Sequence, residues 1–411
     1  MNKTKAAHAL QDAFPVVAGN LTIGGIPLDK LAQRVGQTPF YAYDRQRITD
    51  RVNFLRAQLP SELKLHYAIK ANPMPAVVQH FAGLVDGFDL ASGGEMHVAL
   101  DTIMPAEYIS FAGPGKSHTE LRRAIAAGVT INLESERELE SAAVISEELG
   151  YTAKVAVRVN PDFELKASGM KMGGGPKQFG IDTERLPAVL SRIKALNLEF
   201  VGFHIFSGSQ NLKPEAIIEA HQKTFDLAYR LAENAPSAVR KLNIGGGFGI
   251  PYFPGEDHLK LDAIADNLDK LLPEAKRKLP EANVIIELGR YLIGEAGIYV
   301  CQVIDKKISR GHTFLVTNGG LHHHLAASGN FGQVIRKNYP VAIGNKMDSS
   351  EKEDVSVVGP LCTPLDLLGD KMELPKAEVG DLVVVFQSGA YGLTASPQNF
   401  LSHPHAIEVL V

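Results

Sequence analysis

A (β/α)8 TIM barrel joined to a second, mainly β domain is the architecture that the 411-residue sequence predicts. Three observations point to it. Strand-like apolar runs alternate with helical segments between about residues 45 and 295, several of those helices open on a capping pattern, and after residue 296 the alternation gives way to β signals alone.

Taken in order, residues 1–44 carry two short strand candidates, Leu21–Ile23 and Pro39–Tyr43, with a helix expected over Leu28–Val35 after the Gly24-Gly25 turn. The repeat then supplies strands at Leu63–Ile69, Gly87–Ala91, Tyr108–Ala112, Thr130–Leu133, Lys154–Val159, Phe200–Phe206, Lys241–Ile244 and Asn283–Leu288. Ser92 with Glu95 and Ser135 with Glu138 have the S-x-x-E spacing that satisfies two orphan amides at a helix start. Eight such units favour a closed barrel over an open doubly wound sheet, the alternative, because eight parallel strands can close and hide both edges. Beyond residue 296, strands are expected at Ile298–Val303, Thr313–Thr317, Val355–Val358, Leu382–Phe386 and Ala406–Val411. The barrel, 45–295, is thus read as an insertion in a β-rich domain built from 1–44 and 296–411.

Composition narrows the function. Forty-two Lys+Arg against 46 Asp+Glu leave a net charge of -4, which gives no electrostatic case for nucleic acid or an anionic membrane surface, so a small-molecule partner is expected. No apolar run approaches the roughly 20 residues of a membrane span, and Met1–His8 has lysines but no continuous apolar core after them. Two cysteines far apart exclude a disulfide framework and suit a reducing, cytoplasmic location.

In a barrel of this kind chemistry gathers at the C-terminal ends of the strands. Lys70 leaves the first strand, where Pro73 forbids continuation; a poorly hydrated ammonium there would titrate low and could serve as a Schiff-base nucleophile. Asp89 closes the second strand, Arg158 and Asn160 the fifth, His204 the sixth, and Glu287 with Arg290 the eighth, while Gly245–Gly249 follows the seventh. Any one of these has an ordinary structural reading; their common place on one rim argues for a site. A glycine run can bring several backbone amides to one anion, although this one is not the dinucleotide-binding fingerprint. A strand-end lysine, a phosphate loop and a carboxylate for a protonated heterocyclic nitrogen are what pyridoxal 5'-phosphate requires.

At these residues the sequence resembles the pyridoxal-phosphate decarboxylases of the diaminopimelate, ornithine and arginine group, which share a barrel with alanine racemase. The family's Y-A-x-K-A-N matches Tyr67–Asn72, its stacking histidine matches His204 in His204–Ser209, E-x-G-R matches Glu287–Arg290, and G-P-x-C-x-x-x-D matches Gly359–Asp366. The resemblance runs from Thr38 to Gly392. It implies that Lys70 holds the cofactor as a Schiff base, His204 stacks on the ring, Ser207, Gly246, Gly247 and Tyr391 bind the phosphate, Glu287 keeps the ring nitrogen protonated, and Asp89 and Arg158 support the cofactor. It also implies that Cys362 returns a proton to Cα, reaching the partner's site in a homodimer with shared active sites. Cys301 has no motif and is assigned to packing.

Two departures bear on the substrate. The residue after the family's cysteine is acidic where a substrate ammonium must be met, and here it is Thr363; a neutral hydroxyl cannot repay the desolvation of a distal cation. Leu321-His322-His323-His324 replaces the usual Asn and Asp, and adjacent side chains in a strand or loop diverge, which argues against a metal site. With the run Lys171–Gly180, these features are similar to the subgroup that decarboxylates glutamyl groups on an acyl carrier protein, and to one that accompanies exopolysaccharide and exosortase loci. Arg290, Arg336 and Tyr339 are the remaining substrate-binding candidates, the last two spaced one residue shorter than in the diaminopimelate pattern. The expected activity is α-decarboxylation of an amino acid without a free distal amine, either free or tethered to an acyl carrier protein. The alternative is meso-diaminopimelate decarboxylation to L-lysine. A racemase and a non-catalytic regulator are the rival classes, and retention of Lys70, Glu287 and Cys362 together weighs against the regulator.

Overall fold

Residues 7–11, 14–163, 170–171 and 173–411 are described by a computed structural model of the chain. Met1–Ala6 and Met172, the latter inside the 171–180 run, lie outside the described residues. The chain divides into two compact units, one of residues 51–249 and 259–289, the other of residues 1–50, 250–258 and 290–411.

The first unit is the barrel. Its strands are β1 (Lys64–Ala68), β2 (Gly87–Leu90), β3 (Ile109–Phe111), β4 (Thr130–Leu133), β5 (Lys154–Asn160), β6 (Glu199–Ile205), β7 (Lys241–Gly246) and β8 (Asn283–Leu288). Each pairs in parallel with the next, and β8 returns to β1 with Glu287 opposite His66, so the eight strands close into a ring. This is the predicted closed barrel, and the open sheet is excluded. Side chains alternate as the period of two requires. From β1, Tyr67 stacks on Phe81 of the following helix with ring centroids 3.8 Å apart, while His66 meets Asp89 of β2 at 3.2 Å.

The capping serines behave as expected, and the carboxylates do not quite. Ser92 and Ser135 each accept the N–H of the glutamate three residues on, both at 3.2 Å. Glu95 and Glu138, however, reach back to the amides of Ala91 and Glu134, one residue before the cap. Both serines are almost fully extended, with φ of -158°. The complete reciprocal box forms at Ser117 and Glu120, where the cap has φ of -69°.

In the second unit, strands run in the order Val341–Ile343, Leu382–Val385, Gly297–Ser309, His312–Thr317, Lys352–Val358 and Leu367–Pro375. Phe40–Tyr43 pairs antiparallel with Gly297–Val300 and parallel with Ile407–Leu410, so the two ends of the chain share one sheet. The helix Leu28–Val35 forms where the sequence places it, and Leu28 and Leu31 join Phe40, Ile298, Val300 and Val384 in the core. Leu367–Pro375 was not foreseen. Its exposed positions hold Lys371 and Glu373, so no apolar run marks it. Among the described residues, no helix is long and apolar enough to cross a membrane.

Candidate active site

Lys70 lies on a single 3-10 turn, Ile69–Ala71, immediately after β1. That turn is braced from both sides: the Tyr67 hydroxyl donates to the Asn72 carbonyl at 2.9 Å, and Asn72 Oδ1 accepts the Met74 amide at 3.1 Å. Lys70 Nζ stands 3.8 Å from Glu287 Oε1 and 5.5 Å from the centroid of the Phe206 ring. Its side chain is 42% exposed, so the expectation of a poorly hydrated ammonium does not hold in the single chain. The 3-10 turn carries the side chain beyond the end of β1 while its Nζ stays near Glu287.

Glu287 is the centre of the polar interior. Its Oε2 lies 2.9 Å from His204 Nε2 and accepts from the Asn243 amide at 3.1 Å. Burial alone would raise its pKa; the positive charge available at His204, Lys70 and Arg158 outweighs that and holds the carboxyl well below the usual carboxylate range. It is therefore an anion at any ordinary pH. The resemblance assigns His204 to a ring face, and here it is the partner of Glu287.

Asp89 is buried against β1 and β3: the Ser110 hydroxyl donates to one oxygen, and His66 Nδ1 lies 3.2 Å from the other. Asn132 of β4 donates to Ser110 at 3.2 Å, extending the chain of polar contacts around the barrel. Arg158 binds Glu134 at 2.7 Å and its guanidinium lies 4.9 Å from the Phe179 ring centroid. Glu134 also accepts the amides of Gly113 and Gly180. Beside it, Lys116, 9% exposed, donates to the Gly113 and Asn132 carbonyls and to Glu138.

The glycine turn after β7 approaches other backbone closely. A Cβ on Gly246 would collide with the Glu287 carbonyl, and Gly247, with φ of +79°, packs against the Gly208 carbonyl, so only glycine fits either position. Ser207, Gly246 and Gly247 line one cavity of the barrel unit.

The remaining candidates belong to the second unit. Arg290 donates to the Tyr252 hydroxyl at 2.9 Å and its guanidinium lies 4.6 Å from the Tyr391 ring centroid; Tyr252 in turn packs on Tyr339 at 4.7 Å. Tyr391 has φ of +53°, a conformation that a non-glycine residue holds only where its surroundings fix it. Arg336 is engaged by its own neighbourhood, donating to the carbonyls of Ser328 and Leu367 and to Asn338. Asp366 accepts the amides of Leu321 and Leu361 and so folds the Gly359–Asp366 loop, on which the Cys362 thiol is exposed and Thr363 Oγ1 accepts the Leu365 amide. The three histidines point to different partners: His323 to the Pro404 carbonyl and His324 to Ser388, while His322 packs 3.7 Å from His323.

Residues 45–294 match the model of a protein family described as pyridoxal-dependent decarboxylase, pyridoxal binding domain. This chain belongs to that family. The pyridoxal-dependent decarboxylase is 40% identical to the L-glutamyl-[BtrI acyl-carrier protein] decarboxylase of Niallia circulans over 91% of this chain and 89% of that one. It is 34% identical to the diaminopimelate decarboxylase of Aquifex aeolicus, with 96% and 91% covered. Its fold matches the crystal structure of diaminopimelate decarboxylase from M. jannaschii in co-complex with L-lysine, with a TM-score of 0.85, 28% identity and 98% and 94% of the chains covered. The decarboxylase uses pyridoxal phosphate, and its residues suit that group: a reachable primary amine at Lys70, a buried carboxylate kept ionised at Glu287, and a turn at Gly246 and Gly247 where backbone alone can approach.

Sequence reasoning missed Glu134, Asn243 and Lys116. Glu134 directly follows β4, and the rule that polar residues at strand ends mark the site points to it. Asn243 is internal to β7 and looks like an ordinary strand residue.

Proposed function

We propose that this decarboxylase removes the α-carboxylate of an amino acid whose far end carries no free ammonium, in the form of a residue tethered to an acyl carrier protein. The observation that carries the reading is Thr363, in the position where the diaminopimelate and ornithine enzymes hold an acid. The similarity to a decarboxylase that acts on a carrier-bound glutamyl group supports it. A buried or half-buried hydroxyl offers a cation no compensating charge, which disfavours a diamine-like substrate end.

Lys70 Nζ is the amine that would hold the cofactor and yield it to the substrate amine. Glu287 would keep a positive charge on the heterocyclic nitrogen, and Asn243 and His204 fix the carboxylate that does so. Ser207, Gly246 and Gly247, with Tyr391, would hold the phosphate; His204, Asp89 and Arg158 would steady the ring. When bound, pyridoxal phosphate supplies the acceptor for the electron pair left at Cα as carbon dioxide leaves. The Cys362 thiol would then deliver the proton to Cα, so that one proton is consumed for each carbon dioxide released. Arg290 and Tyr339 would contribute to substrate binding; Arg336 would do so through the 328–338 loop that it holds. A homodimer in which each Cys362 loop serves the partner is part of this reading.

Release of carbon dioxide from free amino acids and from carrier-tethered ones, compared under one set of conditions, tests it. Tethered glutamate is expected to lead. Turnover of free meso-diaminopimelate at a rate rivalling any tethered substrate would instead favour the second reading, a lysine-forming diaminopimelate decarboxylase, which the 34% identity to such an enzyme keeps in view.

A further inference from the structure

His221 sits on the helix Pro214–Ala232, which follows β6. It is 2% exposed, and neither ring nitrogen has a hydrogen-bond partner among the described residues. Burying an imidazole without partners costs free energy, and buried polar groups left so usually serve something outside the chain's own bonding. The ring is not enclosed by apolar packing alone, because it lines the cavity bounded by Ser207, Asn211, Gly246 and Gly247. Among the described residues the other side chains around that cavity are uncharged, so of these His221 is the one able to carry a positive charge. Burial pushes its pKa down to about 4, and no charged side chain of any neighbouring element contributes; Lys223 on the same helix is engaged by Glu219. At neutral pH the ring is therefore uncharged, with an N–H to donate.

We propose that His221 is a phosphate-binding residue of the cofactor pocket, donating from its imidazole to the anion received by Ser207 and the Gly246-Gly247 turn. The proposal rests on the reading of that cavity as the phosphate end of the pocket. Hydroxyl and amide dipoles solvate a phosphate without neutralising it. An imidazole beside a dianion gains a reason to take up a proton, and binding is then coupled to proton uptake.

The test compares unaltered apoenzyme with His221→Leu and His221→Gln in binding pyridoxal phosphate and pyridoxal, which lacks the phosphate, by spectroscopic titration. Loss of a charge-assisted hydrogen bond should raise the Kd for pyridoxal phosphate by about tenfold or more in His221→Leu and by less in His221→Gln, with the Kd for pyridoxal changed by less than about twofold. Equal weakening of both ligands, or no weakening of either, overturns the proposal. Should the leucine variant fail to fold, the glutamine variant and the His221 imidazole signal of unaltered apoenzyme decide: titration with inorganic phosphate is expected to move that signal saturably, and a signal that stays in place overturns the assignment. Unaltered protein that binds neither ligand would refute the functional reading itself, and the role of His221 with it.

Discussion

His204 Nε2 stands 2.9 Å from Glu287 Oε2 within the barrel, and the pair joins β6 to β8. With Lys70 3.8 Å from the other carboxylate oxygen, residues from two other strand ends act on one buried anion.

Removing that anion should be costly to the reaction and mild for the fold. Glu287→Gln keeps the shape and an acceptor for the Asn243 amide but loses the charge that would hold a ring nitrogen protonated. We expect kcat to fall by roughly two to three orders of magnitude, the range found when one preorganised electrostatic group is lost. Steady-state kinetics beside a circular dichroism melt check it; a tenfold loss or less would mean that the carboxylate has little part in the chemistry.

Glu134 should matter more for stability than its exclusion from the motifs suggests. Glu134→Ala leaves Arg158 buried without its partner, which costs about 3–5 kcal/mol. The double change Glu134→Gln with Arg158→Met, which removes both charges, should cost less than the single one. Urea titration of the three proteins gives the comparison.

Acid should weaken the β-rich unit through His324. In the folded chain its Nδ1 accepts the Ala327 amide and Nε2 donates to Ser388, so a second ring proton would face a donor. Burial pushes its pKa down to about 3 from an ordinary 6.5. The folded pKa lies below the unfolded one, so the unfolded chain binds the proton first. Stability is then flat above pH 6.5 and falls below it, by up to about 1.4 kcal/mol per pH unit from this group. Denaturant titrations from pH 7 to 4.5 measure the slope, which should be shallower in His324→Gln.

Thr363→Asp should redirect substrate choice. An added carboxylate beside Cys362 would favour a distal ammonium, raising kcat/KM for free meso-diaminopimelate relative to tethered glutamate by about tenfold or more. An unchanged ratio in a carbon dioxide release assay would remove position 363 from substrate selection.

The barrel was legible because its strands are apolar runs of the right length punctuated by glycine, proline and capping serines; β4 and β8 fall at the expected residues, Thr130–Leu133 and Asn283–Leu288. Lys70, His204 and Glu287 were legible as strand-end polar residues and do converge. The hydration of Lys70 was not, because it depends on a 3-10 turn that residues 69–71 do not advertise. Leu367–Pro375 escaped for the opposite reason, a strand whose exposed positions are charged and whose place is fixed by pairing with Lys352–Val358. Lys116 finds its role only through contacts with the carbonyls of Gly113 and Asn132 and with Glu138, which no local pattern records.

The most direct measurement is borohydride reduction of the purified protein followed by peptide mass mapping, with the absorbance near ~420 nm followed alongside. The account expects one phosphopyridoxyl group, on Lys70, with both the absorbance and the label missing from Lys70→Ala. A label on another lysine, or an unlabelled Lys70 in active protein, would contradict it.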